Sequence, residues 1–167
     1  MAIFFSNNKS IAEVNNRITI PGRVVQTVHT EYTSGFATSS GSPADVFTSN
    51  SITMLNASNR LLIEWHGDCR TNDWFDGNWN LYYTDIIHVQ SGAQISYSGY
   101  IGELTLNIRH AHRVGIHTPG SVGPHSYKMR VWSYYGGYIT VVNNPGGYNI
   151  PSNDGRAYIR ISEIAAA

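Results

Sequence analysis

The chain is a succession of short runs rich in β-branched and aromatic residues, separated by clusters of Gly, Pro, Asn, Asp and Ser. The runs include "RVVQTVHTEY", "RLLIEWHGDCR", "ELTLNIRHAHR" and "AYIRISEI", and the clusters include "SGSPAD" and "HTPGSVGPH". Apolar and polar residues alternate in several runs, which is the pattern of a strand with one buried face. Roughly eight such strands predict an all-β protein, an antiparallel β-sandwich or jelly roll.

The N-terminal segment departs from this pattern. Within "SNNKSIAEVNNR" we expect one short helical turn, with Ser10 as N-cap and Glu13 as its capping-box partner. The turn residues Pro21 and Gly22 then precede the first strand-like run. The sequence therefore predicts an N-terminal arm over residues 1–21 and one β-sandwich domain over residues 22–167.

The charge of the chain excludes several classes of partner. Lys+Arg and Asp+Glu both number 11 among 167 residues, so the formal net charge is zero. Such a chain lacks the basic surface that nucleic acids and anionic membranes require, and it contains no apolar run long enough for a membrane helix. Because the many Ile, Val, Tyr and Trp residues exceed what one sandwich can bury, we expect a closed oligomer.

Catalytic patterns are weak in this sequence, and we expect no enzymatic activity and no catalytic residues. Asp68, Asp73 and Asp76 lie close together in the chain, but Asn-Asp and Asp-Gly pairs are typical of turns. The sequence contains no nucleophile motif, phosphate-binding loop or zinc signature. Cys69 is the single cysteine, which excludes an internal disulfide.

Four stretches resemble a family of small β-domains found in tailed bacteriophages, especially marine and cyanobacterial ones. They are the first strand "GRVVQTVHTEY", the core-strand opening "ASNRLLI", the late strand "YKMRVWSYYGG" and the closing "AYIRISEIAAA". The resemblance covers roughly residues 23–166 as spaced short motifs, and residues 70–100 match no part of the pattern.

The resemblance implies a jelly roll of the tumour-necrosis-factor or C1q type, usually a homotrimer, on the surface of a virion. We therefore expect a capsid decoration or cement protein that docks through its arm onto a major capsid protein. The alternative is a tail-fibre receptor-binding protein that recognises a host surface glycan and associates with other tail or fibre proteins. The sequence shows no heptads or β-repeats of a fibre shaft, which favours decoration.

A candidate surface for a partner protein or glycan combines aromatic rings, which stack on sugars, with polar side chains that bind hydroxyl groups. Its residues are Trp74, Phe75, Asp76, Asn78, Trp79, Tyr134 and Tyr135. Two interpretations stay open for them. Trp79 could instead begin the next strand and enter the core, and the tyrosines could simply flank a Gly-Gly hairpin.

Four of the seven histidines lie between Asn107 and His125. In "RHAHR", His110 and His112 point to the same face of a strand. We interpret the pair as a strand face at a subunit contact. The alternative is a transition-metal site on a trimer axis, where three pairs would supply six imidazoles, although the flanking Arg109 and Arg113 disfavour a metal. No other cofactor is expected, and His117 and His125, beside a Gly/Pro loop, receive no role.

The first residues of the arm form an apolar patch of Ile3, Phe4 and Phe5 ahead of a polar, Asn-rich stretch. An exposed apolar patch on a free arm requires an explanation. Two interpretations stay open: the patch packs on the chain's own domain, or it docks onto a partner subunit.

Overall fold

The structure is a computed structural model, and it describes residues 12–14, 17–19, 21–72, 82–97, 109–133, 139–142 and 157–166. Every regular element in this part of the chain is a β-strand. The strands are β1 (Ala12–Val14), β2 (Arg17–Thr19), β3 (Val24–Tyr32), β4 (Phe36–Thr38), β5 (Ala44–Thr48), β6 (Ile52–Thr53), β7 (Arg60–Asn72), β8 (Tyr82–His88), β9 (Gln94–Tyr97), β10 (Arg109–His117), β11 (Pro124–His125), β12 (Tyr127–Ser133), β13 (Ile139–Val142) and β14 (Ala157–Ile164). No described segment forms a helix that could cross a membrane.

Two main sheets form a sandwich. The larger sheet has the order β3-β14-β7-β13-β4, with β10 also paired to β7, and the smaller has the order β5-β12-β8-β9. Every pairing in both sheets is antiparallel. The prediction of an all-β, antiparallel sandwich from the alternating runs is therefore confirmed, while the trimer stays a prediction.

The core lies between the inner faces of these sheets. Leu61, Ile63 and Trp65 of β7 are fully buried, and they alternate with partly exposed neighbours, as the period of a strand requires. They belong to one cluster with Ile86 and Met129 from the opposite sheet. Burying each such side chain contributes about 1.5–3 kcal/mol, so this cluster holds the two sheets together.

Gly115 marks the place where β10 approaches the smaller sheet. A Cβ atom at this position would lie 2.6 Å from Ile95 Cγ2 and 3.2 Å from the Ile95 carbonyl oxygen. No side chain fits at such distances, so the glycine permits β10 to lie directly against β9. This contact brings the β10 edge of the larger sheet against β9 of the smaller sheet.

The Glu163 carboxylate connects β14 to the segment around β6. Its side chain is fully buried, and it accepts hydrogen bonds from Asn59 Nδ2 at 2.6 Å, from the Leu55 backbone N–H at 3.0 Å and from Gln26 Nε2 at 2.5 Å. The segment that it holds inserts Met54 into the core. A buried charge is stable only with such partners, so Glu163 determines the path of residues 52–59.

The expected helical turn in the N-terminal segment is wrong. The structure has β1 and β2 as an antiparallel pair there, with Ala12 opposite Thr19 and Val14 opposite Arg17. Glu13, the expected capping-box partner, lies in β1 opposite Ile18 instead.

Directly after the predicted arm, Gly22 and Arg23 form backbone hydrogen bonds with Ala165. The Gly22 N–H donates to the Ala165 carbonyl at 3.0 Å, and the Ala165 N–H donates to the Arg23 carbonyl at 2.9 Å. These bonds tie the start of the sandwich to its last strand. The division into an arm over residues 1–21 and a domain over residues 22–167 stays a prediction.

We predict that Glu163→Gln lowers the free energy of unfolding by about 2–3 kcal/mol. The amide nitrogen would face the Gln26 Nε2 donor in place of Oε2. The carbonyl oxygen in place of Oε1 would accept the remaining donors without the negative charge that strengthens these hydrogen bonds. Urea unfolding followed by tryptophan fluorescence measures the change. Glu31→Gln is the matched control, because the Glu31 side chain is 46% exposed and a surface change should cost less than about 0.5 kcal/mol. Equal stability of the two variants would contradict the role given to Glu163.

Candidate functional site

The outer face of the larger sheet carries side chains of β10, β7, β14 and β3 that alternate with the core residues. His112 lies opposite His66, and His66 lies opposite Tyr158. Because these three are cross-strand neighbours on one face, their side chains are close although far apart in the sequence. Trp65, between Glu64 and His66 in the chain, points into the core and holds the strand in this orientation.

Four rings form a row across these strands, which we call the outer-face ladder: His112, His66, Tyr158 and His29. The centroids of His112 and His66 are 4.0 Å apart, those of His66 and Tyr158 are 4.6 Å apart, and those of Tyr158 and His29 are 4.8 Å apart. The first two contacts are stacked. Ring pairs of this kind add stability beyond the buried area, so the ladder ties the outer face together from β10 to β3.

Glu64, His66 and His112 form the group of described residues that could hold a metal ion. One potential ligand atom from each lies within 4.8 Å of the others. Glu64 also forms an ion pair with Arg160, whose Nε and Nη2 both lie 2.7 Å from Oε2 of the carboxylate. The group thus combines two imidazoles and a carboxylate that an arginine orients.

Of the predicted histidine pair, only the His112 side chain belongs to the described residues. His110 lies opposite Asp68 in the backbone register, but its side chain lies outside the described residues, so metal binding by the pair stays a prediction. The structure adds His66 and Glu64 as neighbours of His112. The signal for them was present in "IEWHG", where alternation places Glu64 and His66 on one face, but a single sequence does not indicate which strand pairs with which.

Arg113 follows His112 on β10, and its side chain points to the opposite face of the sheet. Its Nε donates to Thr84 Oγ1 of β8 at 2.9 Å, on the side of the sheet that faces the core. Arg113 is one residue from His112, and adjacent residues in a strand point to opposite faces. The Arg113 side chain therefore points away from the outer-face ladder, but its Nη1 donates to the His112 backbone carbonyl at 2.8 Å. Its positive charge thus stays close to His112.

A second histidine cluster is buried at the other end of β10. His88 Nε2 lies 3.1 Å from His125 Nδ1, His88 Nδ1 lies 2.7 Å from Ser91 Oγ, and His117 Nδ1 lies 2.8 Å from the Tyr127 hydroxyl. The His88 and His117 rings meet edge to face with centroids 4.5 Å apart. No role for His117 and His125 could be predicted from the sequence, because the three histidines lie on separate strands and only folding brings them together.

The buried histidine cluster favours neutral imidazoles. His88 and His125 are each only 4% exposed, and a hydrogen bond between two ring nitrogens requires an unprotonated acceptor. Burial, with added repulsion from His117 and His125, lowers the pKa of His88 from 6.5 to about 4. Burial also lowers the pKa of His117 and raises the pKa of Tyr127. His88 and His117 are therefore uncharged at neutral pH within this hydrogen-bonded network.

The other predicted site residues lie outside the described residues. They are Trp74, Phe75, Asp76, Asn78 and Trp79, which fall between β7 and β8, Tyr134 and Tyr135, which follow β12, and Ile3, Phe4 and Phe5 of the arm. Their assignments to partner or glycan binding and to docking stay predictions.

Exposed aliphatic side chains lie on β10 beside the outer-face ladder. Val114 is 47% exposed and Ile116 is 64% exposed. Both share the face of His112, and Ile116 lies opposite the partly buried Leu62 of β7. We call Leu62, Val114 and Ile116 the β10 aliphatic strip. An apolar strip on an outer face is suited to contact with another protein surface.

No protein-family model matches this chain, and no curated protein matches it. Among solved structures, the chain is similar to the T=1 particles derived from infectious bursal virus, with a TM-score of 0.48 and 12% identity over 99% of this chain and 45% of that one. It is also similar to the Gt strain of infectious bursal disease virus, with a TM-score of 0.47 and 13% identity over 95% of this chain and 42% of that one. The chain spans less than half the length of these proteins, and neither family nor function follows from likeness at this level.

We predict that acid destabilises the protein through the buried histidine cluster. Unfolded His88 binds a proton near pH 6.5 and folded His88 only near pH 4. Below pH 6.5 the unfolded state therefore binds more protons, and the free energy of unfolding falls as the pH decreases toward 4, by about 2–3 kcal/mol. Urea unfolding at a series of pH values measures this slope.

The control for this prediction is a pair of variants. His88→Gln removes one buried titrating group and should reduce the slope between pH 6.5 and pH 4, while His117, whose pKa is also lowered, keeps its contribution. His29→Gln removes a histidine whose side chain is 45% exposed, and it shows what the loss of an imidazole outside the cluster does to the slope. If His88→Gln retains the full slope, then His88 is not the group responsible.

Proposed function

We propose that this chain is a non-enzymatic structural protein of a virion, a homotrimeric jelly-roll subunit that decorates the capsid surface. The observation that carries the proposal is the β10 aliphatic strip on a β-sandwich whose formal net charge is zero. In this proposal the strip meets other copies of the chain, and the arm over residues 1–21, with Ile3, Phe4 and Phe5, docks onto a major capsid protein. The resemblance to phage β-domains supports the same assignment.

The β10 aliphatic strip supports contact between copies because of its position as well as its composition. Among the described residues β10 pairs with β7 alone, so it lies at an edge of the larger sheet. Single exposed aliphatic residues are normal on monomers, but Val114 and Ile116 lie side by side on one strand with Leu62 beside them. Burying them against a second copy would remove apolar surface from water.

Charge supports close packing of identical subunits. The formal net charge is zero, and charged residues make up 13% of the chain, about half of the usual share of roughly 25%. Identical copies with no net charge do not repel each other over long distances, which favours association. The same property agrees with a location outside the genome compartment, since it gives no attraction to packaged nucleic acid.

The buried carboxylates support a structural rather than a catalytic role. Among the described residues they are Asp85 and Glu163. Asp85 accepts hydrogen bonds from Arg130 Nε at 2.9 Å and from Gln94 Nε2 at 2.8 Å, and Glu163 accepts several N–H donors at once. Carboxylates whose oxygens are already occupied by several donors of the same chain are held in fixed positions and are not directed toward a substrate.

A tail-fibre receptor-binding protein is the alternative within the same structural class. It would use the predicted glycan surface of Trp74, Phe75, Asp76, Asn78, Trp79, Tyr134 and Tyr135. The two roles place the protein on different parts of a virion, so location separates them.

We predict that antibodies against this chain label the heads of intact virions in the electron microscope. Label spread over the head agrees with decoration, because a cement protein covers the capsid lattice. Label confined to tail tips or fibres would contradict decoration and favour the receptor-binding alternative. Virions that lack the protein provide the control for non-specific label.

We predict that Ile116→Asp shifts the protein from trimer to monomer, because a carboxylate in an apolar contact would have to be desolvated. Light scattering should give three times the chain mass of 18.5 kDa for the wild type and close to 18.5 kDa for the variant. Val122→Asp is the matched control, since Val122 is 55% exposed but lies in the loop after β10. A wild-type mass near 18.5 kDa would contradict the trimer.

A further inference from the structure

We propose that Glu64, His66 and His112 bind a divalent transition-metal ion of the zinc class on the outer face of the larger sheet. The ligand set differs from the His110–His112 pair that the sequence suggested, because it joins two strands within one chain. The inference is independent of the proposed virion role, since it rests on side chains of β7 and β10, with Arg160 of β14 beside them.

The chemistry of the three side chains selects the metal. Imidazole nitrogen suits zinc, copper, nickel and iron, whereas calcium and magnesium prefer sites made wholly of oxygen. Two histidines with one glutamate form a ligand set that proteins use for zinc with a coordination position left open. We therefore expect Zn²⁺ to bind and Mg²⁺ to bind far more weakly.

The backbone holds the three ligands in fixed positions. His66 and His112 are direct cross-strand partners, and Glu64 is two residues from His66 on the same face of β7. The residues between and beside them on the inner face, Ile63 and Trp65, are fully buried in the core, so β7 cannot rotate. A site on rigid strands needs little ordering when the metal binds.

The distances require only side-chain movement. The potential ligand atoms lie within 4.8 Å of one another, and zinc bonds of about 2.0–2.2 Å would bring them to roughly 3 Å. His112 is exposed, so its ring is able to rotate away from the stacked position toward the ion. In the single chain the open coordination position would face solvent, and it would lie beside the β10 aliphatic strip, because Val114 is opposite Glu64.

Arg160 gives the carboxylate a defined orientation. Both of its contacts with Glu64 are to Oε2, which leaves Oε1 as the oxygen to bind the ion. Ligating carboxylates commonly receive such a second partner, which fixes their direction. Arg160 is thus a positioning residue for the site.

The test is a titration of untagged, chelator-treated protein with zinc chloride, followed by isothermal calorimetry. The wild type should bind one Zn²⁺ per chain, and magnesium chloride at the same concentrations should give no comparable heat. His112→Ala and Glu64→Gln each remove one ligand and should weaken zinc binding at least about tenfold. His112 is exposed, so its substitution should leave the fold intact, and circular dichroism checks both variants.

His29→Ala is the matched control. His29 belongs to the outer-face ladder and its side chain is 45% exposed, but it lies outside the three-ligand group. Its loss should leave zinc affinity within about twofold of the wild type. Cobalt substitution adds a second measurement, since its visible absorption bands should be present in the wild type and in His29→Ala and be lost or shifted in His112→Ala.

Two results would overturn the proposal. One is the failure of wild-type protein to bind zinc. The other is zinc binding that His112→Ala leaves unchanged, which would place the ion on other histidines, such as the buried pair of His88 and His125. Because oligomeric state and virion location are measured separately, neither result bears on the proposed structural role.

Discussion

The alternation of side chains along β7 is the constraint on which both the core and the outer face depend. Leu61, Ile63 and Trp65 are fully buried on one side, and Leu62, Glu64 and His66 therefore lie on the other. A slip of one residue in register would exchange the two faces and expose the core. The hydrophobic effect on the inner face thus fixes the positions of the polar side chains outside, including the group around His112.

Buried polar groups also determine how the segments of the chain are arranged. Glu163 joins the segment around β6 to β3 through donors from both, and Asp85 joins β8 to β12 and β9. The histidine cluster of His88, His117 and His125 does the same at the end of β10. Because an unpaired buried polar group is costly, each network allows one arrangement of its segments and excludes others. The outer face differs, because its groups are partly exposed and remain accessible to an ion or to another protein surface.

Particular residues show which features could be predicted from the sequence and why others could not. Alternation predicted the strands and the antiparallel sandwich, because a period of two is a local property. The helical turn at Ser10 and Glu13 was wrong, since a capping pattern carries little weight when a hairpin forms in the same segment. His112 was identified as a candidate ligand, but its neighbours His66 and Glu64 were missed. The roles of His117 and His125 were missed as well. In each case the decisive neighbour lies on another strand, far away in the chain.

The sequence by itself determined the class of the protein: the period of its apolar residues allows sheets and no long helix, and its zero net charge argues against nucleic acid and anionic membranes. Only the tertiary structure decided which side chains meet. Strand order and register stack the His112 ring on the His66 ring. They also bring Arg113 within hydrogen-bond distance of Thr84, and His88 within hydrogen-bond distance of His125. The physical reason is that strand pairing is a non-local choice. It is made by the whole core as it packs and is not encoded in any one stretch of the chain.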